Sequence, residues 1–467
     1  MKNNKNGITL TKDLKYSSKV HWSFGLGSFL DQFYVSAFTV RVIFFYENEV
    51  FLSIVLIGIA FALYGFWNMI NDPLLGWFSD QKTRFTQKMG RRFPWFLVGA
   101  IVMNFVYITI YLVPFSDQLF MFIWLLVTIC LYEFCYSLWQ VNWLALYPDK
   151  FRSHEERTKV GAVSTICAQI GSVTGILVPP LFISYGNVNS YIIAALAVSI
   201  VGFISVLFII PGMREDSELI DRELKNIEEQ KQEKESYWQI LKVASKEKNF
   251  MSYIFFYLFY YTVNPLLLSS LPFWVIYIIG STDPNTETIL AGAFLGGAFI
   301  GVPIWLKVGR KIGNRKTYIY GSLFSILLFS PLLFVSDLII SIIILSLCGF
   351  AFSSMWTLLY PGFSEVIDEL VVKTGKRREG AYSGIRTFVG RFAYVIQAVI
   401  FAFIHQITFF KPGAPTQAPL ALLGIRTIMI AAPIICFIIC FLLMAFINDL
   451  TPEKVKEHRK ILKERNL

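Results

Sequence analysis

Charge is scarce in this 467-residue chain. Asp, Glu, Lys and Arg together make up 16% of it, against about a quarter in soluble domains. Apolar side chains make up 55% and aromatic ones 16%, so a water-facing globular surface cannot be assembled from this composition. Cysteine is sparse too. Cys130, Cys135, Cys167, Cys348, Cys436 and Cys440 all lie inside apolar runs, without a His or Cys at metal-ligand spacing in a loop. They read as free packing thiols and not as a disulfide framework or a zinc site. No glycine-rich phosphate loop opens a helix in a soluble segment, and the loops hold no Ser-His-Asp constellation. An ATPase, and an enzyme more generally, is therefore not expected. The first apolar run holds Asp31 and lacks a small-residue cleavage site, so no cleaved signal peptide is expected either.

What the chain has instead is long apolar runs. A helix rising 1.5 Å per residue needs about 20 of them to cross a hydrocarbon layer roughly 30 Å thick. Twelve runs qualify, near residues 21–45, 51–79, 95–114, 118–147, 160–185 and 189–211, then 249–280, 286–309, 317–335, 338–365, 381–409 and 420–447. The expected fold is an all-α membrane protein of two six-helix halves, 21–211 and 249–447. An N-terminal segment (1–20), a charge-rich linker (212–248) and a basic tail (448–467) flank them. The linker, with Glu215, Glu218, Glu223, Lys225, Glu228, Glu229 and Lys231, reads as partly helical. Pro452 to Leu467 reads as a solvated tail, with a short helix on anionic headgroups as the alternative.

Lys and Arg near a span resist translocation, whereas acidic residues count for little. They crowd the amino terminus, the loops after the second, fourth, sixth, eighth and tenth runs, and the tail, while the alternate loops carry only Lys411. Both termini are thus expected in the cytoplasm, with the protein in the plasma or inner membrane. The formal charge of +10 then belongs to that face and to membrane lipid, not to nucleic acid.

Between the second and third runs stand Asn71-Asp72-Pro73-Leu74-Leu75-Gly76-Trp77-Phe78-Ser79-Asp80 and then Gly90-Arg91-Arg92. Later come Pro361 at the end of the tenth run, Asp368-Glu369, Lys373-Thr374-Gly375-Lys376-Arg377-Arg378-Glu379-Gly380, Tyr382, Arg391, Gly424-Ile425-Arg426 and Pro433. This combination resembles the major facilitator superfamily, and more narrowly the glycoside–pentoside–hexuronide cation symporters of the melibiose-carrier group. The resemblance implies two pseudo-symmetric bundles and alternating access. Gly76, Asp80, Arg91 and Arg92 read as a gate latch: Gly76 admits a close helix approach, and Asp80 pairs with the arginines. Gly309-Arg310-Lys311 resembles a degenerate second copy, as internal repeats would require.

Charges inside apolar runs are costly, so they mark a pathway or a partner. Asp31, Asp72, Glu133, Arg386, Arg391 and Arg426 are such charges. Counted from the cytoplasmic ends, Asp31, Asp72, Gln140, Trp356 and Arg391 lie about 12 to 16 Å deep and can share one layer. Asn68, Asn71 and Asp72 form a polar face on the second run; Glu133, Ser137 and Gln140 form one on the fourth. The resemblance implies a cation site at Asn68, Asn71, Asp72 and Ser137 for Na⁺ or H⁺, with no other metal or cofactor. One family acid is replaced by Asn68, which weakens a hard-cation cage. It also implies sugar contacts at Asp31, Gln140, Trp143, Trp356 and Arg391. The departures are Gln140 for an acid and Arg391 for a lysine, the latter suited to a carboxylate such as that of a hexuronide or, equally, to a permanent ion pair with Asp72 or Asp31. Glu133 has no family counterpart and receives little weight. Arg41 is expected to snorkel to water, and His21 and His405 to be solvated. Tyr260, Tyr261, Asn264, Pro265 and Pro272 allow the seventh run to be a broken gating helix.

The expected function is secondary transport of a small polar solute, a glycoside or hexuronide, by a monomer coupled to Na⁺ or H⁺. The competing readings are a lysophospholipid carrier of a related branch, an uncoupled facilitator, and a non-transporting receptor or scaffold.

Overall fold

The computed structural model describes residues 15–79, 86–151, 153–220, 237–376 and 378–465. Among them are twelve helices long and apolar enough to cross a membrane. The first six are α1 (Ser18–Glu49), α2 (Ile54–Gly76), α3 (Phe93–Tyr111), α4 (Gln118–Lys150), α5 (Glu155–Leu181) and α6 (Val188–Met213). The second six are α7 (Lys248–Ile279), α8 (Asn285–Ile312), α9 (Asn314–Leu333), α10 (Leu338–Thr374), α11 (Ala381–Ile407) and α12 (Pro419–Ile447). No strand occurs among the described residues. Helix starts fall where a short polar side chain can accept from free N–H groups: Asp117 before α4, Ser153 before α5, Asn187 before α6 and Asp337 before α10.

In the first half, α1 packs on α5 and α6, and α4 on α2 and α3; in the second, α7 packs on α11 and α12, and α10 on α8 and α9. Without a hydrophobic drive between helices in lipid, close backbone approach through small residues takes over. A Cβ on Gly171 or Gly175 of α5 would lie 2.3 Å from the Phe29 or Phe33 carbonyl oxygen of α1. Across the second half, a Cβ on Gly297 of α8 or Gly349 of α10 would collide with the other helix's backbone. The first helices of the two halves end alike, α1 in a π-helical turn at Phe45–Glu49 and α7 in one at Trp274–Ile279.

Several expectations change here. α7 is helical without a break from Lys248 to Phe273 although Pro265 and Pro272 lie inside it, and the carbonyl of Pro265 accepts a hydrogen bond from Gln397 of α11. α10 does not end at Pro361. It is interrupted after Trp356 and resumes at Leu359, which puts Pro361 in a first turn, where its missing N–H has no partner to lose. The tail is not a solvated strand of charges: Pro452–Glu464 forms a helix, α13, with Val455 and Leu462 buried on the resumed segment of α10. In the linker, Tyr237–Ala244 is helical; Glu223, Lys225, Glu228, Glu229 and Lys231 lie outside the described residues.

Helix order places both described ends on one side of the bundle, here called the terminal side. Several contacts between the halves lie at mid-depth and toward the opposite side. Arg41 Nη1 of α1 pairs with Glu287 Oε2 of α8 at 2.5 Å, and Tyr185 donates to Glu287. His405 Nδ1 of α11 is 2.8 Å from Glu47 Oε1. Asn48 Oδ1 accepts from Tyr277 at 2.7 Å and from the Gly413 N–H at 3.0 Å. Ser269 of α7 donates to the Thr39 carbonyl at 2.6 Å. These hydrogen bonds and ion pairs latch the two halves together on the side away from the termini.

Candidate functional site

At mid-depth α1, α2, α4 and α11 bring a polar cluster together. Asp72 of α2 accepts from Ser137 Oγ of α4 at 2.5 Å and from Arg391 Nη2 of α11 at 3.0 Å. Arg391 Nη1 is 3.9 Å from Glu133 Oε1. Glu133, 2% exposed, accepts from Asn68 Nδ2 at 2.6 Å and from Tyr64 at 2.5 Å, while its backbone carbonyl accepts from Asn71 at 3.3 Å. Beside this network Asp31 of α1 accepts from Gln140 Nε2 at 2.8 Å, from Gln32 Nε2 at 2.7 Å and from Tyr136. Helical spacing makes the arrangement possible: 68 and 72 on α2, and 133, 137 and 140 on α4, each repeat on one face. The two faces meet, and Arg391 closes the cluster from the other half.

Two carboxylates, Asp72 and Glu133, thus face one guanidinium, with Asp31 in the adjoining network. A low-dielectric site with that imbalance favours a bound cation or proton. Asn68 Oδ1 and Asn71 Oδ1 are buried and accept no hydrogen bond. With Asp72, Ser137 and Glu133 they provide the oxygen-only donor set that hard cations take. Among the described residues no three of His, Cys, Asp and Glu converge on one point, so such a cation would be held by mixed carboxylate, hydroxyl and amide oxygens. Next to it lies a small cavity, water-sized in this conformation, lined by Phe38, Tyr64, Tyr132, Glu133, Tyr136, Arg391 and Tyr394 among others. Aromatic walls with a few convergent polar groups are what small-solute sites commonly look like.

The expected site residues divide. Asp31, Asn68, Asn71, Asp72, Ser137, Gln140 and Arg391 are in the cluster. Trp143 is not: its ring stacks on Phe24, its N–H donates to the Phe24 carbonyl at 3.1 Å, and it fills the space beside Gly27. Trp356 is half-buried and packs edge-on against Phe352. Gly76 has only an ordinary contact in prospect, since a Cβ there would lie 3.8 Å from Val141 Cγ1; the close approach expected of it is absent. Asp80 lies outside the described residues. The Arg91 and Arg92 backbone N–H groups, with that of Phe93, donate to the Glu215 carboxylate at 3.0, 2.7 and 3.0 Å. A linker acid thereby caps the amino end of α3, where the helix dipole favours negative charge. Arg92 also donates to Ser79 at 3.2 Å.

Sequence reasoning underweighted Glu133, which is the hub of the network, and passed over Tyr64, Tyr136 and Tyr394. The shared face of Glu133, Ser137 and Gln140 on α4 was the signal for Glu133; the missing family counterpart set it aside. Arg41 does not snorkel, being 1% exposed on Glu287. His21 and His405 are not solvated either; each is buried against a carboxylate, Glu156 at 2.7 Å and Glu47 at 2.8 Å.

Residues 23–449 match the family described as MFS/sugar transport protein. The chain belongs to this family. Its relatives include an uncharacterized symporter, YjmB, of Bacillus subtilis (strain 168), 20% identical over 98% of this chain and 97% of the relative. The sodium-dependent lysophosphatidylcholine symporter 1 of Xenopus tropicalis is 22% identical over 85% of this chain and 80% of the relative. Among solved structures, a bacterial homologue of the human lysosomal transporter Spinster, inward-facing and unoccupied, aligns with a TM-score of 0.65. It is 14% identical and covers 94% of this chain and all 100% of its own. The nucleoside transporter NupG aligns with a TM-score of 0.63 at 13% identity over 91% and 98% of the two chains. At these identities the structures establish the fold alone, two six-helix bundles of the major facilitator type. As a member of this transporter family, the chain is a membrane transporter.

Proposed function

We propose that this member of the MFS/sugar transport family is a secondary active symporter of a glycoside or hexuronide, close to the melibiose-carrier group, with Na⁺ or H⁺ as coupling ion and no other cofactor. The placement of Lys and Arg supports a plasma or inner membrane with both termini in the cytoplasm, and the protein works as a monomer. The observation that carries the reading is the setting of Asp72 and Glu133 against Arg391 where the two halves meet, with Asp31 held beside them by Gln140 and Tyr136. A cation or proton taken by Asp72 competes with the Asp72–Arg391 pair, which frees the planar guanidinium to receive a solute. Loss of the solute restores the pair. Coupling follows because one acid cannot hold both partners at full strength.

A second reading is favoured by the similarity of the chain, over 79–85% of its length, to several sodium-dependent lysophosphatidylcholine symporters. In that reading the Phe- and Tyr-rich walls hold an acyl chain and Arg391 a phosphate.

Proteoliposomes holding the purified chain separate the two. Uptake of labelled methyl glucoside, methyl glucuronide and lysophosphatidylcholine is followed under an inward Na⁺ gradient, an inward H⁺ gradient, or neither. The symporter reading expects a sugar probe to accumulate above equilibrium under one gradient and only to equilibrate in Asp72→Asn. Accumulation of lysophosphatidylcholine alone would replace the sugar, and gradient-independent equilibration in the wild type would remove the coupling.

A further inference from the structure

Arg386 precedes Arg391 by five residues on α11, which sets it about 7.5 Å nearer the terminal side. Its guanidinium carbon lies 5.3 Å from the ring centre of Tyr257 on α7, and 5.0 and 4.5 Å from those of Tyr360 and Phe363 on α10. Arg41 and Arg391 have carboxylates at 2.5 and 3.0 Å; among the described residues no carboxylate pairs with Arg386. Its Nε is buried without a hydrogen-bond partner. Ring faces attract the charge through their quadrupole, and the Tyr253 hydroxyl lies within reach of the guanidinium, but none of these groups carries a counter-charge. A cation at this depth that lacks a counter-charge marks a pathway.

The surroundings join Arg386 to the central cavity. Tyr257 stacks on Tyr261 at 5.4 Å, and Tyr261 meets Tyr394 edge-on at 6.4 Å. Tyr394 and Arg391 line the same cavity. Gly390 makes room for this wall, since a Cβ there would come within 2.7 Å of Tyr257 Cε1. Tyr360 is 72% exposed, and the Arg41–Glu287 and His405–Glu47 pairs between the halves lie away from this side.

Resting on the transport reading above, we infer that Arg386 is a docking subsite for an oxyanion of the transported solute, a carboxylate or a phosphate. The solute meets it on the terminal-side path to Arg391, with Tyr257 and Tyr360 as stacking walls. A planar fork of N–H donors suits a two-oxygen anion and discriminates against an uncharged hydroxymethyl group in its place. The subsite therefore makes the charge of the solute, and not only its sugar ring, a criterion for transport.

Dissociation constants of matched probes test this on the purified full chain in detergent. One pair is p-nitrophenyl β-glucuronide and p-nitrophenyl β-glucoside; the other is lysophosphatidylcholine and a monoacylglycerol of the same chain length. The wild type is expected to prefer the oxyanion member of one pair by about tenfold, roughly 1.4 kcal/mol. Which pair responds identifies the source of the oxyanion. Arg386→Met should abolish that preference while leaving the neutral probe within about twofold, and Arg386→Lys should keep part of it. Monodisperse elution of each variant establishes that it is folded, and Arg386→Lys carries the test where the methionine variant fails to fold. Three outcomes overturn the inference: no preference in the wild type, a preference that survives Arg386→Met, or equal weakening of every probe, the mark of a gate latch. Glucoside uptake under a gradient would leave the transport reading standing in those cases; absence of all solute binding in the wild type would remove both.

Discussion

Arg41 of α1 and Glu287 of α8 form an ion pair 2.5 Å long, with side chains 2% and 1% exposed, between the two halves of the bundle. Removing one partner leaves an uncompensated buried charge, which costs about 3–5 kcal/mol, while an apolar pair of similar size can be neutral or better. In an alternating-access cycle this pair must break when the side opposite the termini opens. Glu287→Gln is therefore expected to destabilise the latched conformation by about that amount, and Arg41→Met with Glu287→Leu to restore or raise the melting temperature. Thiol labelling of Asn48→Cys, which lies in the same latch, reads the opening. An unchanged labelling rate in Glu287→Gln would show that the pair holds nothing shut.

Glu133 holds Asn68, Tyr64 and Ser137 in one network. Hydrogen bonds to a charged group contribute about 1.5–3 kcal/mol each. Glu133→Gln keeps the volume and removes the charge, so gradient-driven uptake is expected to fall by about tenfold to a hundredfold with modest loss of thermal stability. Uptake at the wild-type level in Glu133→Gln would confine Glu133 to a structural role.

Asn68 tests the nature of the coupling ion. Its Oδ1 is buried and accepts no hydrogen bond, and a carboxylate there would add charge to an oxygen cage. If Na⁺ binds among Asn68, Asn71, Asp72 and Ser137, Asn68→Asp should lower the Na⁺ concentration needed for half-maximal uptake. If the coupling ion is a proton, the same change should leave Na⁺ without effect and move the pH profile instead.

The twelve spans were legible because hydropathy is a property of short windows, and the polar faces of α2 and α4 because i to i+4 spacing is local. The latch was not. Arg41 finds its carboxylate 246 residues away at Glu287, and His405 finds Glu47 at a separation of 358, distances over which no periodicity reports. Glu133 was visible as a charge in an apolar run, yet it was discounted for want of a counterpart in the resembling family. Trp143 shows the converse: an indole reads alike in sequence whether its N–H meets a ligand or, as here, the Phe24 carbonyl.

That placement makes Trp143 a packing residue with one hydrogen bond, which contributes about 1 kcal/mol. Trp143→Phe is expected to lower the melting temperature slightly and leave the affinity for any transported probe within about twofold. A much larger loss of affinity, measured on the folded variant, would return Trp143 to the solute site.

Asp449 lies beyond the end of α12 and ties the two ends of the second half together. It is 2.5 Å from Lys248 Nζ and 3.0 Å from Lys454 Nζ, and it accepts from Asn249 at 2.8 Å. Partial burial pushes its carboxyl upward, but the hydrogen bonds from Lys248, Asn249 and Lys454 outweigh that and hold it well below the usual carboxylate range. A carboxyl depressed in the folded state contributes stability that is present above its unfolded value, about 3.9, and is lost as pH falls through the folded one. Asp449→Asn should therefore lower the melting temperature by a constant amount between pH 5 and 8. Below about pH 4 the gap to the wild type should narrow. A gap that widens on acidification would mean that the carboxylate is destabilised where it sits, against the geometry of its three donors.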